Sequence, residues 1–287
     1  MAGSTSVTLN DLLPTIVSEA LFVANERSIM RGLVRNYNVA AGAGKTVTVP
    51  IYPVQTAAVV TEGDEVSNTA VSTDVATLTV SQVGIRTLVT DLAVNASSSN
   101  VVADLGRLFG EAIARKMDQD LIAKFSEFTT NTVGSTSTTV TPADLMKAIT
   151  KLKNGGVPTD GVVAVLHPAI AYDLKSALTT TGNTAFGQGA FGDVANEAMR
   201  MGYVGQLFGI PVYETSNFSN TGVAGDFVGG IFHRDALGLA MMRDISIETQ
   251  RRASFLGSDV VCSAMYGVGT IYEGYGVAAS FDSSVLP

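Results

Sequence analysis

The chain has 287 residues with a net charge of −8, one cysteine and two histidines, a length that suits one large domain or two ordinary ones. Only 15% of its residues are charged, where an average soluble chain carries about 25%, so too little charge is available to clothe a monomer's surface. No apolar run approaches the about 20 residues of a membrane span, Cys262 alone cannot make an internal disulfide, His167 and His233 form no zinc-ligand cluster, and the acidic balance opposes any general coating of nucleic acid.

The first charge is Asp11 and no Lys or Arg precedes Arg27, so no secretory signal is expected. Leu13, Ile16, Val17, Ala20, Leu21 and Ala24 recur at spacings of three and four and predict an amphipathic helix from Leu12 to about Arg31. Arg27, Arg31 and Arg35 fall four apart, so a continuing helix would carry them on one face. They read either as a solvated helix end that complements the macrodipole or as a basic contact surface. From Lys45 the period changes to two. TVTVPIYPV and VATLTVSQVGIRTLVT alternate Val and Leu with Thr and Ser and predict the two long strands of a hairpin. Its tip, TEGDEVSNT, holds Glu62, Asp64 and Glu65. An isolated two-stranded ribbon is barely stable in water, so this one needs a surface to lie on.

A long helix is predicted from about Val101 to Phe128. Leu105, Leu108, Phe109, Ala112, Ile113, Met117, Leu121 and Phe125 make its apolar stripe, with Glu111–Arg115 and Asp120–Lys124 as pairs four apart. Thr141-Pro142-Ala143-Asp144 signals a helix start, and Asn154-Gly155-Gly156 its stop. GVVAVL then reads as a buried strand, followed by a helix from Pro168 to Leu178, a Gly/Thr-rich loop from Thr179 to Gly192, a helix to about Met201 and the strand segment QLFGIPVYET. Strands between helices predict an α/β lobe. FVGGIFH, LGLAMM, ISIETQ and VVCSAMYGVGTIYEGYGVAAS return to strands. Having no helix of their own, they are expected to pack on the long one, giving an α+β fold.

Three segments imitate enzyme signatures. Gly42-Ala43-Gly44-Lys45-Thr46 lacks the first glycine of a Walker loop, and a strand rather than a helix is expected after it. GQGAFGDV and His233-Arg234-Asp235 match kinase fragments, but no lysine follows Lys175 and Ala240 stands where the metal-binding Asn belongs. Nor does a strand precede GQGAFGDV, as a dinucleotide fingerprint requires. Cys262 lies in an alternating strand, where a thiol is inert, and His167 before Pro168 reads as a cap. No acid/base pair emerges from spacing, and an enzyme is not expected.

The order of parts, an arm helix, a long hairpin with a charged tip, a strut helix, an α/β lobe and a returning sheet, resembles the tailed-bacteriophage major capsid protein with its HK97-like fold. TVTVPIYP, LGRLFGEAIARKMDQDL, VLHPAIAYDLK, YVGQLFGIPVYETSNF and FHRDALGLAMMRDISIETQRRAS carry the likeness over nearly the whole chain. The resemblance implies an N-terminal arm (1–44), an extended loop (45–90), a peripheral domain with a spine helix (91–140 and 249–287) and an axial domain (141–248). It implies pentamers and hexamers tiling into an icosahedral shell in the virion, assembled in the host cytoplasm without cofactor, metal, catalytic residue or membrane. Portal, scaffolding and decoration proteins and packaged double-stranded DNA, not read by sequence, are the implied partners. Since the chain begins at the arm, a scaffold is expected to be separate or already removed. Lys45 does not lie at the loop tip, so no lysine–asparagine crosslink is expected. Glu62, Asp64 and Glu65 are expected to meet a neighbour's basic surface that includes Arg27, Arg31 and Arg35, unless those arginines face DNA. Gly182, Gly187, Gly189 and Gly192 are placed near a symmetry axis. An encapsulin, which shares the fold around a cargo enzyme, and a Ser/Thr/Gly-rich surface protein are the alternatives.

Overall fold

The computed structural model describes residues 28–40, 42, 44–57, 59–63, 65–66, 68, 70–92, 101–180, 203–218 and 225–285. The predicted helix before Arg27, Asp64 of the tip, the glycines of the 179–192 loop beyond Thr180 and the helix to Met201 lie outside them. The elements in chain order are α1 (Met30–Leu33), β1 (Arg35–Asn38), β2 (Thr46–Ile51), β3 (Asp74–Thr79), β4 (Ser81–Thr90), α2 (Val101–Ala123), β5 (Thr132–Ser135), α3 (Pro142–Asn154), β6 (Val162–Leu166) and α4 (Pro168–Thr180). They continue with β7 (Tyr203–Leu207), β8 (Ile210–Glu214), β9 (Asp226–His233), β10 (Leu237–Arg252), β11 (Gly257–Thr270) and β12 (Gly276–Asp282).

The strut helix is α2, whose 23 residues span about 35 Å. Phe109, Ile113, Met117 and Leu121 bury one row at four-residue spacing, and Ala114 and Ile122 extend it. Leu108 is exposed, as is Ala112, because the stripe is narrower than the sequence suggested. The expected Asp120–Lys124 pair is replaced. Asp120 takes Lys116 at 2.7 Å and the Tyr266 hydroxyl at 2.9 Å, while Lys124 sits in a closing 3₁₀ turn and reaches Glu127 at 2.6 Å. The three-residue pitch of that turn brings positions 124 and 127 together.

Two sheets flank this helix. The first has the order β1-β10-β11-β4, with β1 parallel to β10 and the rest antiparallel. The second has the order β5-β12-β9-β6-β8-β7, with α3 against β5 and β12. The expectation of one returning sheet is corrected by these orders. LGLAMM and ISIETQ form a single bulged strand, β10, in the first sheet, whereas β9 and β12 belong to the second. The chain crosses between sheets at residues 234–236 and 271–275, where Ile271 N–H donates to Ala236 O at 2.8 Å. Strand pairing groups β5 to β9 with β12, and all of β10 with β11. QLFGIPVYET is likewise two strands. Phe208 (φ 53°) and Gly209 (φ 84°) turn β7 back on β8, both in the left-handed region that a two-residue primed turn requires.

Local signals held where chemistry was local. The Asp144 carboxylate accepts from both the Thr141 N–H (3.2 Å) and its hydroxyl (2.6 Å), fixing the start of α3. All five residues of β6 are buried. At the end of α2, Phe125 packs with Phe232 (5.3 Å) and Phe128 (6.3 Å) beneath the second sheet. A Cβ at Gly230 would lie 2.6 Å from the Phe125 ring, so that strand position must stay bare. The aromatic end of the strut therefore joins the lobe to the rest through one continuous core. Phe125→Ala should cost about 3–5 kcal/mol, read as a lowered thermal midpoint with the secondary structure retained.

Candidate functional site

The hairpin is the element that composition says must be covered. Its β2–β3 register places Val47 opposite Leu78 and Val49 opposite Ala76, while Thr48 faces Thr77 and Thr46 faces Thr79. One side of the ribbon is apolar and the other is hydroxyl-bearing. The expected second long strand breaks at Val80, whose N–H donates to Lys45 O at 2.7 Å and closes the ribbon's base. Residues 81–90 then join β11 in the first sheet. The change of partner explains the break, because one strand cannot hold two diverging sheets without a bend.

The seat of the ribbon is built from glycine. Alternation along β10 and β11 sends Leu239, Cys262, Ala264 and Tyr266 into the main core with α2. Gly238, Ala240, Met265, Gly267 and Gly269 consequently face the opposite side. There Leu78, fully buried, forms a separate small cluster with Val39, Val80 and Ala240. A Cβ at Gly269 would lie 2.6 Å from Leu78 Cδ2, and one at Gly238 2.9 Å from Leu78 Cδ1. A Cβ at Gly267 would run into the Thr79 carbonyl. The sheet is thus covered on both faces, by the strut helix and by the ribbon's base. Sequence reasoning missed these glycines, although Gly267 and Gly269 alternate within a strand, the mark of close backbone approach.

Beyond the seat, the described residues of 52–73 contain no helix or strand, and Tyr52, Val54, Val59, Val60, Val66 and Val71 are exposed. Gly63 (φ 93°) turns the chain beside Glu62, and Glu62 and Glu65 are both exposed. Two of the arm arginines are placed elsewhere than expected. The helix ends at Leu33 and Val34 is extended, so Arg31 and Arg35 share no helical face. Pairing of β1 with β10 pulls Arg35 into a strand. Arg31 bonds Asp244 at 3.4 Å and Arg35 bonds Asp235 at 3.1 Å, both exposed pairs that contribute at most about 1 kcal/mol each. Arg27 is not among the described residues.

Two of the enzyme-like fragments take structural roles, and the third, GQGAFGDV, lies outside the described residues. A strand, β2, follows Lys45. In the triplet at 233–235, His233 Nδ1 accepts the Asp235 N–H at 3.2 Å and its Nε2 donates to Asp160 O at 2.8 Å. His167 Nδ1 caps α4 by accepting the Ala169 N–H at 3.2 Å. Its ring stacks on Phe227 at 3.6 Å, and burial holds its pKa below the ordinary value. Burial pushes the Cys262 thiol up to about 11, which leaves no thiolate at neutral pH. Among the described residues no group of three His, Cys, Asp or Glu could hold a metal, and no helix is long and apolar enough to cross a membrane.

The family model described as phage capsid protein matches residues 73–280, more than two thirds of the chain. Among solved structures, the capsid of cyanophage P-SCSP1u is similar at 17% identity and TM-score 0.69, with 90% of this chain and 89% of that one covered. Mycobacterium phage Che8 is similar at 20% identity and TM-score 0.65, covering 88% and 91%. The bacteriophage PhiM1 mature capsid is similar at 17% identity and TM-score 0.64, covering 91% and 88%. No curated protein matches the chain. The chain belongs to the phage capsid protein family, with the HK97-like fold, and is a structural shell protein.

The glycine seat makes a graded expectation. Gly267→Ala should cost about 1–3 kcal/mol by forcing backbone apart, whereas at Gly269 a side-chain end can yield and the cost should be smaller. Thermal unfolding of the two variants, with protease cleavage within 52–73 as a measure of ribbon seating, checks the order.

Proposed function

From its place in the phage capsid protein family, we propose that copies of this chain associate as pentamers and hexamers and tile into an icosahedral shell enclosing the double-stranded DNA of a tailed phage. The role is mechanical rather than catalytic. Residues 1–44 are its arm, 45–80 its extended loop, β4, α2, β10 and β11 its peripheral domain, and 132–233 with 276–282 its axial domain. The glycine-rich loop with Gly182, Gly187, Gly189 and Gly192 faces the axis of each pentamer or hexamer. Assembly takes place in the host cytoplasm, with portal, scaffolding and decoration proteins as further partners and DNA contacting the inner surface without sequence readout.

The observation that carries this reading is the loop 52–73. Six large apolar side chains stand in water there on a segment whose described residues form no helix or strand, on a chain already poor in charge. A neighbouring copy supplies the missing cover, since burying such side chains is worth about 25 cal/mol per Å² removed from water. The family match favours this shell over an encapsulin or a surface protein. Purified shells should contain DNA rather than a cargo enzyme.

Two tests separate assembly from folding. The triple variant Val54→Ser, Val59→Ser, Val66→Ser removes side chains that are exposed in the subunit, so its unfolding should stay within about 0.5 kcal/mol while shells disappear from negative-stain micrographs. Intact shells would refute the proposal. The acidic tip is proposed to meet a neighbour's basic surface that includes Arg27, Arg31 and Arg35. Glu62→Lys with Glu65→Lys should then slow assembly, more at low salt than at high, with subunit stability unchanged. Assembly rates by light scattering at two salt concentrations check this.

A further inference from the structure

Asp118 lies on α2 between Ala114 and Ile122, in the buried row of the strut, and is itself fully buried. Three parts of the chain meet at its carboxyl. Oδ1 is 3.0 Å from the Ser28 hydroxyl of the arm. Oδ2 accepts the Ile29 N–H of the arm at 3.4 Å and the Asn217 amide of the lobe at 3.2 Å. The Met30 N–H also bonds to it. Every one of these partners is neutral.

None of the described charged groups on the packed elements bonds to Asp118, and Arg234, which follows β9, donates to the Val34 carbonyl of the arm at 3.5 Å. On α2, Lys116 is bonded to Asp120, Arg115 is exposed, and Glu111 and Arg107 stand about two and three turns away. On the arm, Arg31 pairs with Asp244 and Arg35 with Asp235. Near Asn217, Glu214 pairs with Lys175, and the His167 ring caps α4 against Phe227. On β11, the Tyr266 hydroxyl donates to Asp120. No described cation compensates a buried carboxylate here, and an uncompensated buried charge is costly.

The four donors around the carboxyl favour its ionised form, whereas complete burial without a bonded cation favours the neutral one and outweighs them. With a proton on Oδ1, the group donates to Ser28 Oγ, whose hydroxyl can rotate to accept, while Oδ2 keeps both N–H donors. We propose that Asp118 is a proton-sensitive seat for the arm: residues 28–34 dock on the strut most firmly when the carboxyl is neutral, and ionisation loosens them. Burial supports this by raising the Asp118 pKa to about 6, against hydrogen bonds from Ser28, Asn217, Ile29 and Met30 that lower it. The sign follows by linkage. The seated form holds the proton more tightly than an exposed carboxyl, so seating is strongest below the ordinary carboxyl range, weakens as pH rises from there to about 6, and is level above it.

Hydrogen exchange of the 28–34 amides in the full chain, as dispersed subunits and corrected for intrinsic base catalysis, tests this between pH 4.5 and 7.5. Protection should fall by about 20-fold as pH rises from 4.5 to just above 6 and then stay level, the size expected when a site of pKa about 6 returns to the ordinary carboxyl value. Asp118→Asn reproduces the neutral carboxyl, with its NH₂ toward Ser28, and should keep the arm docked at every pH. Asp118→Ala should leave the arm loose at every pH. A flat profile in the unmodified chain, or a fall with pH that persists in Asp118→Asn, would overturn the proposal.

Discussion

A sheet buried on both faces is the constraint from which the rest of the molecule follows. Its two central strands must present large side chains to the helix and almost nothing to the ribbon. Alternation does this in β10 and β11, where Leu239, Cys262 and Tyr266 point one way and Gly238, Gly267 and Gly269 the other. Bare backbone on the second face lets Leu78 sink against the sheet. A ribbon too small to be stable alone thereby acquires a rigid base, from which the loop beyond it projects with its valines uncovered.

Charge is spent sparingly and mostly at junctions. Arg251 grips Asp91 through two bonds of 2.5 and 2.7 Å, tying the end of β4 to β10. Arg86 and Arg252 converge on the buried Asp259, the arrangement a buried carboxylate needs. Arg31 and Arg35 pin the arm to β10 and to the turn before it. These pairs fix the chain's own segments to one another.

Much of the fold was legible because it rests on local patterns. The capping carboxylate of Asp144, the apolar run of β6 and the two periods that separate strut from ribbon need only neighbouring residues to be read. The failures share one cause, which is choice of partner. Nothing in VATLTVSQVGI marks Val80 as the point where one sheet is exchanged for another, since an edge strand alternates alike in both. Arg35 left its helix because β10 offered a strand partner some 200 residues away. Asp120 preferred a lysine on one side and a phenol from β11 on the other. The glycine seat was visible as Gly267 and Gly269 at alternate positions, yet what pressed on them was not. The contact surface itself could be inferred only as a deficit, too little charge for too much exterior.

The pairing of β1 with β10 has a consequence in time. Arg35 lies opposite Gly238, so while the polypeptide emerges from a ribosome at about 5–20 residues per second, the arm waits roughly 10–40 seconds for the strand it will lie beside. The seat for the ribbon, which needs Gly267 and Gly269, is completed later still. A nascent chain therefore has no finished seat for the ribbon until residue 269 has been made, and the loop it carries has no rigid base before then.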